Sequence, residues 1–453
     1  MKIRSRLPVG GLVLLAAAIG ADASAQTLRE ALALAYQTNP QLDAQRAQLR
    51  ATDEGVPQAK AGWRPTVTVS AFAGVEDSNR TNPGVDQNLI PRSAGVNITQ
   101  PLYRGGRTQA QIAAAEALVQ AQRARLHSAE QTVLLQAVTA YLDVVRDQAI
   151  VELNRNNEQV LRRQLEAAND RFRVGEITKT DVAQAESRLA RATSDRVSAE
   201  GTLISSRATF ARVVGQMPAT LDASPPIPQL PASEDEALRV ADAMHPDIQT
   251  TIFAEQAARH DIDTAFGALL PTLSLEANLS KTKEVQTEEL EITTKNVLAR
   301  LTVPLYQAGS EYSLVRQRKE TASQRRIEID DQRRAVRQLV TRSWEGYNTA
   351  RARIVANDEQ ARAALIALDG VQQEATVGSR TVLDVLDAEQ ELLNANVQVV
   401  TATRDRGVAA YQLLSSVGQL TAEKLALPVD LYDPTVHYNK VRNQWIGLTP
   451  GND

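Results

Sequence analysis

The chain of 453 residues contains no cysteine. That excludes disulfides, thiolate metal sites, a cysteine nucleophile and a lipid carried on an N-terminal cysteine after processing. Aromatic residues are scarce, at 4% beside 43% hydrophobic residues in all. With Ala, Leu, Val, Gln, Arg and Glu dominating, the composition favours long helices with narrow Ala-rich seams over a thick globular core. No excess of positive charge is present, the net charge being −4, so nothing points to a nucleic-acid partner. Long apolar runs are missing too. Beyond the first 25 residues no stretch approaches the ~18 consecutive apolar residues of a transmembrane helix. If the chain crosses a membrane, it must do so with strands.

The length would hold two or three ordinary domains. Residues 1–25 have the layout of a secretory signal: Lys2, Arg4 and Arg6, then an apolar run over 9–19, then Ala23-Ser24-Ala25 as a small-residue cleavage site. The apolar run is too short for a membrane anchor. Cleavage before Gln26 would leave a net charge of −6.

The rest of the chain is written twice. Glu30-Ala31-Leu32 and Asn39-Pro40 match Glu236-Ala237-Leu238 and His245-Pro246 at an offset of 206, as Pro65 matches Pro271. The offset then falls to 203, for Pro101-Leu102-Tyr103 with Pro304-Leu305-Tyr306, Gly106 with Gly309, Tyr141 with Trp344, Gly175 with Gly378, Asp181 with Asp384 and Gly215-Gln216 with Gly418-Gln419. Such an ordered series indicates a tandem duplication, with the slip absorbed in a loop. Two repeats, 26–217 and 235–427, are expected, joined by a Pro-rich extended linker at 218–234 and followed by a tail at 428–453.

Each repeat opens with a short helix ending at Asn39 or His245 and a second starting on the next proline, the second running to about residue 61 in the first repeat. A period-2 stretch comes next. Leu273, Leu275, Ala277 and Leu279 share one face while Thr272, Ser274, Glu276, Asn278 and Ser280 take the other. Val67, Val69, Ala71, Ala73 and Val75 do likewise, and partner strands are expected through Ala94, Val96, Ile98 and through Val297, Ala299, Leu301, Val303. Two β-hairpins, 66–103 and 271–305, are therefore expected, with polar loops over 77–91 and 282–294.

The period then changes. No proline occurs over 102–217 or 305–427, and Leu134, Val138, Tyr141, Val145, Ala149 and Leu153 recur at helical spacing. Helical hairpins are expected at 107–217 and 310–420. Their tips fall at Val174-Gly175 and Val377-Gly378, where Thr178 precedes Asp181, and Thr381 precedes Asp384, by three residues. A helix from residue 107 to about 172 is roughly 100 Å long, and the return limb roughly 57 Å. The short helix starting at Pro40 supplies roughly 33 Å more, so it and the return limb can stack end to end beside the long strut. Four strands with an apolar outer face cannot close alone, since spanning barrels take about eight or more. Copies of the chain must complete the barrel.

The junction Pro101-Leu102-Tyr103-Arg104-Gly105-Gly106, the twin tips and the duplication together resemble the TolC family of outer-membrane efflux and secretion channels, over essentially all of residues 26–427. The resemblance implies a mainly α, mixed fold: a homotrimer whose transmembrane β-barrel, of about twelve strands, continues into a periplasmic α-helical tunnel. It implies tips (Val174, Gly175, Val377, Gly378) docking on a periplasmic adaptor joined to an inner-membrane transporter. It implies acidic rings from Asp384 and Asp387 at the constriction, and a gate bond from Arg380 to Thr180 and Asp181. The family's Tyr three residues before the second-tip Gly is here Ala375. The missing anchor cysteine places the chain with the non-lipidated branch.

Plainer roles stand beside these. Asp181 and Asp384 are also capping-box residues, which is compatible with pore lining. Arg380 could be a solvated helix-end charge, and Tyr103 and Tyr306 suit an interfacial belt. His127, His245, His260 and His437 show no i, i+4 pairing, so they are structural rather than metal ligands. Asn79-Arg80-Thr81 matches a glycosylation sequon, uninformative in a bacterial barrel loop. No nucleophile–base or metal constellation is present, so neither an enzyme nor a cofactor is expected. The competing reading is a non-conducting envelope tether, which accounts for the struts but not for the strands.

Overall fold

The computed structural model describes residues 26–81 and 84–449, so the expected signal segment at 1–25 lies outside the described residues. Helix α1 (Leu28–Thr38) starts on a reciprocal cap between Thr27 and Glu30, and α2 (Pro40–Asp53) on Asn39 with proline in its first turn. The single helix expected to run on to about residue 61 is broken. Helix α3 (Gly55–Lys60) follows α2 after Glu54, and a 3-10 turn (Ala61–Trp63) leads into the sheet. Pro57 has no N–H for the carbonyl four residues back, and Gly55 is a weak helix former.

Strands β1 (Thr66–Ala73), β2 (Glu76–Thr81), β3 (Gly84–Leu89) and β4 (Arg92–Arg104) come next. Segment 77–91 is therefore not a plain loop. Strands β2 and β3 pair antiparallel from Glu76 with Leu89 to Thr81 with Gly84. The extension is a ladder of backbone bonds, and no alternation of apolar and polar residues announces it.

The matching part of the second repeat has α6 (Glu234–Met244), α7 (Pro246–Phe266), β5 (Thr272–Lys283) and β6 (Glu291–Thr302). There the loop shrinks to 284–290, and Lys281 pairs with Glu291 at 2.5 Å near its base. The main sheet is antiparallel in the order β1-β4-β5-β6. Its registers join the two repeats in common rungs. Val67, Ile98, Ala277 and Val297 form one, and the adjoining rung on the opposite face is Thr68, Asn97, Asn278 and Asn296. Phe72 and Leu298 are apolar residues on the polar side. Among the described residues, the outer edges of β1 and β6 have no strand partner.

Helix α4 (Arg107–Arg173) and α8 (Ser310–Thr376) each have 67 residues, about 100 Å. They return through α5 (Lys179–Val214) and α9 (Val382–Ser416). End-to-end stacking is fixed where α5 meets the α1–α2 corner: Thr38 Oγ1 donates to Val214 O (3.0 Å) and Asn39 Nδ2 to Val213 O (2.8 Å). Both α7 and α9 lie against α4 as well as α8, which fuses the repeats into one layer. Small residues line the upper seam of α4, with Ala110, Ala114, Ala117, Ala121 and Ala124 buried. A large buried cluster lies midway, where the Tyr141 and Phe210 rings meet with centres 6.4 Å apart and planes tilted by 51°. Burial lifts the Tyr141 hydroxyl to a pKa of about 12. It donates toward Gln26 O and Asp222 O, at 2.8 and 3.0 Å, tying the start of the first repeat to the linker that follows it.

The tail is ordered as a strap. The short α10 (Val436–Val441) places His437 Nδ1 3.0 Å from Asp53 Oδ2, both side chains buried. Burial pushes the Asp53 carboxyl up, against the pull of His437. The Arg46 guanidinium lies 4.7 Å from the Tyr36 ring and 5.3 Å from that of Tyr432.

Candidate functional site at the helical tips

Both tips are built the same way. Helix α4 ends on Val174 and turns through Gly175, whose φ is +79°; Gly175 N donates to Phe172 O (3.0 Å) and Glu176 N to Arg171 O (2.9 Å). Helix α8 ends on Val377 and turns through Gly378 at +80°, with Gly378 N donating to Ala375 O (3.2 Å) and Ser379 N to Glu374 O (3.0 Å). This paired closure needs a left-handed residue after the helix end, which glycine adopts without a Cβ penalty.

The return helices start on capping boxes. Asp181 N donates to Thr178 Oγ1 (3.3 Å), and Thr178 N to Asp181 Oδ2 (2.9 Å). Asp384 N donates to Thr381 Oγ1 (3.2 Å), and Thr381 N to Asp384 Oδ2 (2.9 Å). Hydrogen bonds from Thr178 and Thr381 hold both carboxyls below the usual aspartate range. Each tip thus carries a fixed negative charge at a helix N-terminus.

The two tips are pinned to each other. Leu386 of α9 is buried with Leu161 and Ala168 of α4 and Val182 and Ala185 of α5. Beside this cluster Arg188 of α5 forms an ion pair with Asp387 of α9. Asp387 is therefore engaged by a cation two turns into the first return helix. Sequence reasoning missed Arg188, because no spacing relates positions 199 apart. It missed Glu374 as well, whose Oε2 accepts from Arg380 Nε at 2.8 Å across the Gly378 turn. That turn was the available signal, since it folds residue 380 back over the last turn of α8. Glu374 raises the Arg380 guanidinium further above its ordinary value. Within one chain Arg380 binds its own tip, while Thr180 is exposed at the start of α5. Ala375 borders a cavity of about 290 Å³ lined also by Gln164, Arg171, Gln372, Arg380 and Val385.

Among the described residues no three His, Asp or Glu side chains converge as a metal site, and no helix is long and apolar enough to cross a membrane. What the geometry offers is a pair of rigid acidic points at the far end of struts about 100 Å long, opposite a four-stranded sheet. The sequence family described as "Outer membrane efflux protein" matches at residues 31–216 and 237–419. The chain belongs to that family.

Outer membrane efflux protein BepC of Brucella suis is 37% identical over 443 residues, spanning 97% of this chain and 96% of that protein. Outer membrane protein TolC of Vibrio cholerae is 27% identical over 419 residues, 90% of this chain and 94% of that one. Among solved structures, the Neisseria gonorrhoeae MtrE outer membrane channel in its open state superposes with a TM-score of 0.73 at 18% identity, covering 88% of this chain and 90% of that one. This outer membrane efflux protein accordingly has the duplicated TolC-like fold and is an outer-membrane channel protein extending into the periplasm, not an enzyme.

Proposed function

We propose that three copies of the chain close into one barrel and one helical tunnel, forming the passive exit duct of a tripartite efflux pump or type I secretion system. The incomplete sheet carries this reading. Among the described residues the edges of β1 and β6 lack strand partners, and Val67 and Val297 of the shared apolar rung are 63% and 68% exposed. Open edges do not persist in lipid, so closure by further copies is required. The helical layer is equally unfinished: eight of the 67 residues of α8 are buried, against 26 of the 67 in α4. The 37% identical Brucella relative is named an outer membrane efflux protein, which supports the efflux reading.

In the assembled duct, Asp384 and Asp387 form acidic rings at the periplasmic constriction, drawing cations into a narrow pore. Arg380 exchanges Glu374 for Thr180 and Asp181 of the adjoining copy when the end is closed. The outermost side chains, Val174 and Val377, are 78% and 79% exposed; with Gly175 and Gly378 they form the docking surface for a periplasmic adaptor joined to an inner-membrane transporter.

Single-channel recording in planar bilayers tests the reading. Conducting, cation-preferring openings are expected, with the preference reduced by Asp384→Ala plus Asp387→Ala. A protein that never conducts would be an envelope tether instead. Conductance with unchanged selectivity and cation block would remove the two aspartates from the pore.

A further inference from the structure

The strap changes character along its length. Its first part is buried, His437 at 4% exposure and Val441 at 0%, yet its last apolar residues stand in solvent, Trp445 at 65% and Ile446 at 92%. Leu448 is fully exposed as well. These residues are not simply trailing chain. Gln444 N donates to Val441 O at 2.8 Å, and Lys60 Nζ to Asn443 Oδ1 at 3.0 Å. Arg64 Nη1 donates to Gln444 O at 2.8 Å, and the Arg64 guanidinium lies 4.9 Å from the Trp445 ring centre.

Arg64 stands two residues before β1. The Trp445 ring is therefore held at the base of the barrel, where the apolar band of the sheet gives way to the helices. Trp63, Leu102 and Tyr103 are exposed at the same junction. A tryptophan with an apolar body and a polar N–H suits the membrane–water boundary, and nearby cations suit the phosphate level. Continuity with the lipid-facing band decides the occupant.

We infer that the segment Trp445-Ile446-Gly447-Leu448 is an interfacial anchor, seated among the glycerophospholipid headgroups and upper acyl chains of the periplasmic leaflet, with Arg64 and Lys60 aligning it. The inference rests on the outer-membrane seat of the barrel. Through this anchor the tail sets the height at which the tunnel leaves the bilayer.

The three tryptophans, Trp63, Trp344 and Trp445, make the test spectroscopic. Trp344 lies about 50 Å along α8 from the barrel and serves as background. The chain carrying Trp63→Phe is reconstituted in phosphatidylcholine vesicles, with or without bromine near the glycerol end of the acyl chains. Its emission is compared with that of Trp63→Phe plus Trp445→Phe. The Trp445 emission should be blue-shifted and should lose most of its intensity to the brominated lipid. Red emission without quenching means exposure to water and overturns the inference; blue emission without quenching means a protein cover and overturns it equally. Val297→Trp, added to the double variant and read in vesicles with bromine deep in the acyl chains, reports the barrel itself. If that probe is quenched while Trp445 is not, the anchor alone is wrong. If neither is quenched, the seat of the barrel in lipid fails with it.

Discussion

Replacing Val297 by arginine, beside the same change at Asn296, asks which side of the sheet meets lipid. The two residues are neighbours on β6. Val297 belongs to the rung with Val67, Ile98 and Ala277, and Asn296 to the rung with Thr68, Asn97 and Asn278. In a single chain both are exposed, so accessibility does not separate them, but the proposed threefold barrel would. An arginine on the lipid side near mid-bilayer costs about 2–4 kcal/mol. Threefold repetition makes that about 6–12 kcal/mol per assembly, or at least about ten-thousand-fold in the assembly equilibrium. On the polar side the guanidinium stays in water beside the Glu276–Arg300 pair, and the cost should stay within about 0.5 kcal/mol. Envelope fractionation followed by unheated SDS gels reads both. Val297→Arg should abolish the heat-sensitive oligomer band, and Asn296→Arg should leave it. Equal tolerance, or the reverse order, would refute the assignment of faces.

Other expectations come from the tips and caps. Arg188→Ala should free Asp387 and increase cation block and cation preference, opposite in sign to Asp387→Ala; the same sign in both would dissociate the pair from the pore. Because this ion pair is partly exposed and worth at most about 1 kcal/mol, the melting temperature should barely move in either variant. Arg380→Ser should raise resting conductance and the entry of large antibiotics, and unchanged values would take Arg380 out of the gate. His245 is buried, and its Nδ1 accepts from Asp247 N at 3.2 Å to cap α7. Burial lowers its pKa, against the opposing charge of Asp247. Its contribution to stability is therefore complete above the ordinary histidine range and is lost as pH falls through that range toward the depressed folded value. His245→Asn, which copies Asn39 of the first repeat, keeps a cap worth about 1 kcal/mol. The melting temperature of this variant should depend less on pH between neutral and mildly acidic buffers. An unchanged pH dependence would place the titration elsewhere.

Much of this architecture could be read from periodicity, because its elements are long. Glycine turns inside the proline-free stretches gave α4 from 107 to about 172 and the start of α8 at 310, and alternation at Val67, Val69, Ala71 and at Leu273, Leu275, Ala277 gave the strands that share rungs. Capping by Thr178 and Thr381 was legible because it needs residues only three apart. Other features were not. The β2–β3 extension rests on backbone bonds, which any polar sequence can make. The split between α2 and α3 turns on Gly55 and Pro57, inside a stretch otherwise helical in composition. The tail, the Arg188–Asp387 pair and the His437–Asp53 pair join residues far apart in sequence, and only the folded layer brings them together.

The most direct measurement is the mass of the detergent-extracted protein by native mass spectrometry, with a proteolysis map of the strand segments. Three chains per particle, β1 and β6 shielded by detergent and by each other, is the expected result. A single chain, with those strands folded into a water-soluble body, would contradict the duct at its foundation.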